Sequence, residues 1–305
     1  MEFQHTISSP ISFSGVGLHT GVFTKLQIFP APPETGIVFR RVDLDNFEIE
    51  ANIKNVARVA YATTLMKQGV LISTVEHLLS SLYTFGIDNA WIDINNLEVP
   101  ILDGSALPFT DEIQRVGLKK QLANRKYIVI KRSLTIENRD RIISIHPARS
   151  FQISYSIDFD HPLIYQQDFN FNVCSETFAT EIAPARTFGF FREVEELKKK
   201  GLIRGGSLDN AIVLTEKGIL NDILRFKDEF VRHKVLDSIG DLSLIGKPLI
   251  ARIVADKAGH ALHTHLVNRI LNTPSLYSLK THSQLQLDLT CKSDYSSRDV
   301  QDSAI

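Results

Sequence analysis

The sequence predicts an α+β fold made of two domains, and three observations carry that expectation. In each half of the chain, short alternating runs lead into a helical run. A polar, charged stretch at about 118–126 separates the halves. The 305 residues, 43% hydrophobic and 23% charged, are enough to bury a sizeable core. The expected limits are 1–122 and 127–285, with a polar tail at 286–305 that is expected to be disordered beyond about residue 289.

In the first half, residues 24–28 alternate and stop at Pro30-Ala31-Pro32-Pro33. Residues 36–40 form a second short run. A helix is expected over 73–83, with Val75, Leu78, Leu79 and Leu82 as its apolar face. Ser73 or Thr74 can cap it, and Glu76 completes a capping box with Ser73. A strand at 90–94 and a helix at 109–116 follow. In the second half, strands are expected at 127–131, 142–146 and 151–157, then a long loop around His161-Pro162. Helical spacing returns at 193–200 and 229–245, followed by a strand at 250–255 and a helix near 261–270.

A net charge of -1 gives no reason to expect nucleic acid as a partner. No stretch approaches the ~18 apolar residues of a membrane span. Residues 1–15 lack the basic and apolar regions of a secretory signal. Two distant cysteines, Cys174 and Cys291, exclude a cysteine-rich zinc site and point to reduced thiols. A cytoplasmic, monomeric enzyme is expected.

The segment 228–241 carries the most chemistry. His233, Asp237 and Asp241 stand one turn apart and share a helix face. Imidazole and carboxylate are both zinc ligands, and catalytic zinc takes three protein ligands plus water. The same spacing also suits a plain surface pair. Glu76-His77 can add a ligand with a general base beside it, and equally reads as a cap beside a half-buried histidine. Gly259-His260 opens a turn with His263 and His265, where a group titrating near neutrality would serve as an acid. An exposed histidine-rich turn fits as well.

Seven segments in order resemble one family, the UDP-3-O-acyl-N-acetylglucosamine deacetylases of bacterial lipid A synthesis. They are 14–21, 73–78, 99–106, 185–190, 205–210, 230–241 and 259–262. The resemblance implies two similar α+β sandwich domains facing each other with the active site between them. It implies Zn2+ on His77, His233 and Asp237, and Glu76 as base. His260 would be the acid or the electrostatic partner of the oxyanion, oriented by Asp241. Thr187 and Lys234 would contact the acetyl group, the oxyanion or adjacent atoms, and Phe188 would stack on the sugar. The substrate would be a UDP-linked acylated amino sugar that loses its N-acetyl group as acetate. An insert near 188–208 would form the acyl passage, with Phe191, Val194 and Leu202 as walls. Arg141 would face the diphosphate, where the family usually has Lys. His263 and His265 depart from the family pattern and are expected at the surface; His19 matches without an assigned role. Rival readings are an amide hydrolase for another acyl sugar and a zinc-stabilised binding protein. Retained Glu76 and His260 argue against the latter. The chain is expected to be too short for the dehydratase domain that follows in some relatives.

Overall fold

The computed structural model describes residues 1–221 and 223–287. The tail expected beyond about residue 289 lies outside the described residues. The helices are α1 (Glu76–Thr84), α2 (Leu107–Val116), the single turn α3 (Ser175–Thr177), α4 (Phe191–Lys199), α5 (Glu229–Ser243) and α6 (His260–Leu271). In the first half a five-stranded sheet runs in the order Ile11–Val16, Phe23–Pro30, Ala90–Ile94, Ile37–Arg41, Phe47–Glu50. In the second half a seven-stranded sheet is centred on Leu249–Asp256. That strand pairs antiparallel with Arg141–His146 and parallel with both Lys126–Ile130 and Phe151–Phe159. The architecture is α+β, as the sequence predicts. Among the described residues, no helix is long and apolar enough to cross a membrane.

Alternation puts one face of each sheet into the core. Leu26 and Ile28 are buried while Lys25 and Gln27 are exposed. One apolar core runs through both halves, taking Ile28, Phe39 and Ile92 from the first sheet and Ile145 and Ile253 from the second. Between them lie Leu78 and Leu82 of α1 and Leu236 and Ile239 of α5. Every residue from Glu76 to Leu82 is buried. A surface helix would keep a polar stripe, so α1 is an interior helix. It packs along α5, and the two halves face each other across this pair.

Gly240 sets the closest approach. A Cβ placed there would sit 2.1 Å from the Glu76 carbonyl oxygen and 2.8 Å from the Glu76 Cα. Backbone cannot yield as a side-chain tip can. Gly240→Ala gains about 1 kcal/mol of helix propensity but forces α1 and α5 apart, an overpacking cost at or above about 3 kcal/mol. A net loss on the order of 2 kcal/mol is expected, read as a lower denaturant midpoint.

Several local expectations are corrected. Residues 118–126 are not a plain connector: Leu118–Asn124 is a strand antiparallel to Phe3–Ile7. It tolerates charge because this two-stranded ribbon leaves Lys119, Lys120 and Leu122 outside, while Gln121 turns in and donates to the Ala31 carbonyl at 2.8 Å. The long loop around His161 is a short turn into the strand Tyr165–Asn172, whose polar residues face outward. Ser73 does not cap α1. It ends the strand Val70–Ser73 and bonds Thr64 Oγ1 at 2.9 Å, and the N-cap position is Val75 with no side-chain bond. Thr74, at φ 59°, makes the turn into the helix and donates to Glu98 Oε1 at 2.9 Å. A β-branched residue at positive φ costs on the order of 1–3 kcal/mol, and here the buried Glu98 holds it.

Candidate active site

The turn at Thr74 and the contact at Gly240 bring His77 of α1 to His233 and Asp237 of α5. The His77 and His233 Nε2 atoms lie 3.6 and 3.4 Å from Asp237 Oδ1. One donor atom from each of the three falls within 4.8 Å of the others, and all three residues are buried. His233 Nδ1 faces the Ala185 carbonyl at 3.0 Å, so that nitrogen carries the hydrogen and Nε2 points its lone pair at the cluster. His77 Nδ1 is buried with no hydrogen-bond partner. Burial lowers His233 to about 3, so it is a neutral imidazole. Burial works to raise Asp237, but Lys234 and His233 outweigh it and hold its carboxyl well below the usual range. Lys234 Nζ lies 2.8 Å from Asp237 Oδ2. Two imidazoles and an anionic carboxylate, pointed at one spot, are a donor set that fits a divalent metal ion.

Glu76 sits beside this cluster. Its Oε2 accepts from the Thr63 backbone N–H at 3.1 Å. Burial raises Glu76 to about 7, against the pull of His260 and His77. Across the site, Asp241 Oδ2 accepts from His260 Nδ1 at 2.7 Å. Its Oδ1 accepts from Thr63 Oγ1 at 2.5 Å. Burial acts to lower His260, but the Asp241 charge and hydrogen bond prevail and raise it to about 9. His260 is the first residue of α6, with Gly259 at the N-cap, rather than part of a free loop. Asp241, His260 and His263 also cluster, but both Nδ1 atoms are engaged with the carboxylate, which makes a hydrogen-bond network.

Thr187 and Lys234 both line a cavity of about 450 Å³. The Thr187 backbone is held on both sides, by the Gly104 carbonyl and the Ile212 N–H, each at 2.8 Å. Phe188 lies edge-on to Phe230, with the Lys234 ammonium 5.5 Å from its ring centre. The insert near 188–208 folds as the strand Phe188–Phe190, then α4, returning to Ile212–Leu214 in parallel pairing. Phe191 and Val194 line the cavity. Leu202 does not; Leu197 and Ile203 stand there instead. Arg141 opens an exposed strand end opposite Asn138 and is not among the lining residues. His19 lines the cavity with both ring nitrogens buried and unpartnered.

The sequence reading missed Thr63, which spans the Glu76 and Asp241 sides of the site. It misplaced His263, which is completely buried and bonded to Asp241, whereas His265 is exposed. Residues 62–65 look family-like, but nothing in that stretch assigns Thr63 a role. For His263 the i, i+3 spacing from His260 on one helix was the available signal.

A family model described as LpxC, UDP-3-O-acyl N-acetylglycosamine deacetylase, matches residues 4–272. Curated relatives named UDP-3-O-acyl-N-acetylglucosamine deacetylase align almost end to end. The protein from Solibacter usitatus is 48% identical over 291 residues, covering 95% of this chain and 98% of its own length. That from Myxococcus xanthus is 48% identical over 287 residues, covering 93% and 91%. That from Thermodesulfovibrio yellowstonii is 46% identical over 273 residues, covering 90% and 93%. With a family match over most of its length and relatives this similar, the chain belongs to the LpxC family of deacetylases.

Proposed function

We propose that this chain hydrolyses the N-acetyl group of a UDP-3-O-acyl-N-acetylglucosamine, releasing acetate for lipid A biosynthesis, with Zn2+ held by His77, His233 and Asp237. The observation that carries the reading is the buried His77–His233–Asp237 trio with Glu76 on one flank and the His260–Asp241 pair on the other. The bound ion would supply Lewis acidity, polarising the amide oxygen and acidifying water to ~7. Glu76 takes the proton of the attacking water, and its burial suits it to that task at neutral pH. His260, held protonated by Asp241, donates to the departing sugar nitrogen. Thr187 and Lys234 reach the acetyl oxygen and adjacent atoms from the cavity wall. A preorganised donor aimed at an oxyanion is worth ~3–4 kcal/mol. The acyl chain fits the cavity beside α4, against Phe191 and Val194, while Phe188 bears on the sugar. The diphosphate partner is Arg141 only if the nucleotide extends beyond this cavity. We read the protein as a cytoplasmic monomer of two domains meeting at about residues 118–126.

Purified protein with its metal content measured, assayed for acetate release from the acylated UDP-sugar, tests the reading. Zinc-loaded protein that releases no acetate would refute it.

The alkaline limb of kcat/KM should report His260. Its folded value is raised, to about 9, so it carries its proton at neutral pH and loses it as pH rises through about 9. Asp241→Asn removes the charge that holds the proton, burial then dominates, and the limb should move to lower pH. An unmoved limb in Asp241→Asn would separate that limb from His260.

A further inference from the structure

We propose that His263 is a positioning residue for His260, acting through the carboxylate they share. The inference rests on the amide-hydrolysis reading above, in which His260 is the acid. Asp241 Oδ2 accepts from His260 Nδ1 at 2.7 Å and from His263 Nδ1 at 2.8 Å. With Thr63 Oγ1 on Oδ1, three donors fix the plane of one fully buried carboxylate. An ionised carboxylate only accepts, so both Nδ1 atoms carry hydrogen.

The far end of the His263 ring is also held. Its Nε2, the accepting nitrogen of the ring, lies 3.1 Å from the Tyr155 hydroxyl, which shares its single hydrogen between Nε2 and the Ala258 carbonyl at 2.7 Å. Ala258 stands two residues ahead of His260. One phenol therefore ties down the turn that delivers His260 and steadies the ring that steadies Asp241. A completely buried imidazole is costly filler, since a leucine would occupy the space without desolvating two polar nitrogens. Its two polar contacts give it a task.

The electrostatic effect follows from the shared oxygen. A second donor on Oδ2 draws on the carboxylate's charge and weakens its hold on the His260 proton. His263 thereby keeps His260 a better acid than Asp241 alone would allow. His260 is also faced by Asp237 of α5, Glu76 of α1 and His19 of the first half. None of these bonds to Oδ2.

The test compares zinc-loaded wild type with His263→Leu, His263→Asn and His263→Gln, using His265→Ala as an exposed control. Ring NMR follows the titration of His260, and kcat/KM is profiled against pH. In His263→Leu the His260 titration and the alkaline limb should move upward by about 0.5 pH unit. kcat should fall roughly tenfold, the scale of a lost outer-sphere partner. His263→Asn offers an N–H near the position of Nδ1 and should recover the titration and most of kcat. His263→Gln offers its N–H toward Tyr155 and should not. A folded His263→Leu with an unmoved His260 titration would overturn the proposal. So would His263→Asn and His263→Gln behaving alike, a comparison that stands even if the leucine variant does not fold. NMR needs no turnover, so a wild type that releases no acetate would undo the deacetylase reading, while the His260 titration would still read separately whether His263 positions that ring.

Discussion

Glu76→Gln is expected to keep the metal and lose about 10²–10⁴-fold in kcat, the usual span of a general base. Glutamine has nearly the shape of glutamate, and its carbonyl oxygen can still accept from the Thr63 N–H. The three expected ligands are untouched. What disappears is, among the described residues, the one carboxylate beside the trio that is free to take a proton, because Asp237 is engaged with Lys234 and Asp241 with His260. The fold should not suffer. Burial disfavours the charged form of Glu76, so a neutral isostere should leave the melting temperature unchanged or raise it. Metal analysis, a melting curve and single-turnover rates read these together. A variant that turns over at the wild-type rate would remove Glu76 from the chemistry.

Asp237→Ala should have the larger effect, because it is expected to empty the site. Asp237 is the anionic member of the trio; His233 contributes a neutral ring. Without it two imidazoles remain, and Lys234 loses the carboxylate that balances its ammonium 2.8 Å away. An uncompensated cation beside the site repels a divalent ion. Metal content should fall well below one equivalent, and activity by about 10³-fold or more, since Lewis-acid stabilisation is worth several kcal/mol. Treating the wild type with a chelator should reproduce the loss, and added Zn2+ should restore only the wild type. Stoichiometric metal in Asp237→Ala would show that other residues hold it.

Long periodic elements were legible in the sequence. Helix α5 follows from the spacing of Val231, Val235, Leu236 and Ile239, and α1 from Val75, Leu78, Leu79 and Leu82. The strand Leu118–Asn124 was not, because its faces are polar and no apolar alternation announces it, and in Tyr165–Asn172 only Phe169 and Phe171 alternate, behind a polar start. The cap reading at Ser73 failed for a different reason. The local pattern is a good capping box, but Glu98 and Thr63 compete for the same turn from distant positions. The convergence of His77 with His233 and Asp237 depends on a contact across about half the chain, which spacing does not encode. The family resemblance carried that step. His263 was lost because a third histidine in a crowded turn reads as surface until Tyr155 and Asp241 are seen around it.

The contact at Gly240 bears on how this protein tolerates change. The closest approach of the helices that carry the expected ligands is where backbone meets backbone, at Glu76 and Gly240. Side chains can swap rotamers or lose a methylene; a backbone stop does not drift. Substitutions around it, at Leu78 or Leu236 for instance, should therefore spend stability while leaving the ligand spacing alone. Robustness of the fold and accuracy of the site are thus governed by different residues, and a single hydrogen-for-methyl exchange at position 240 is where the two become one property.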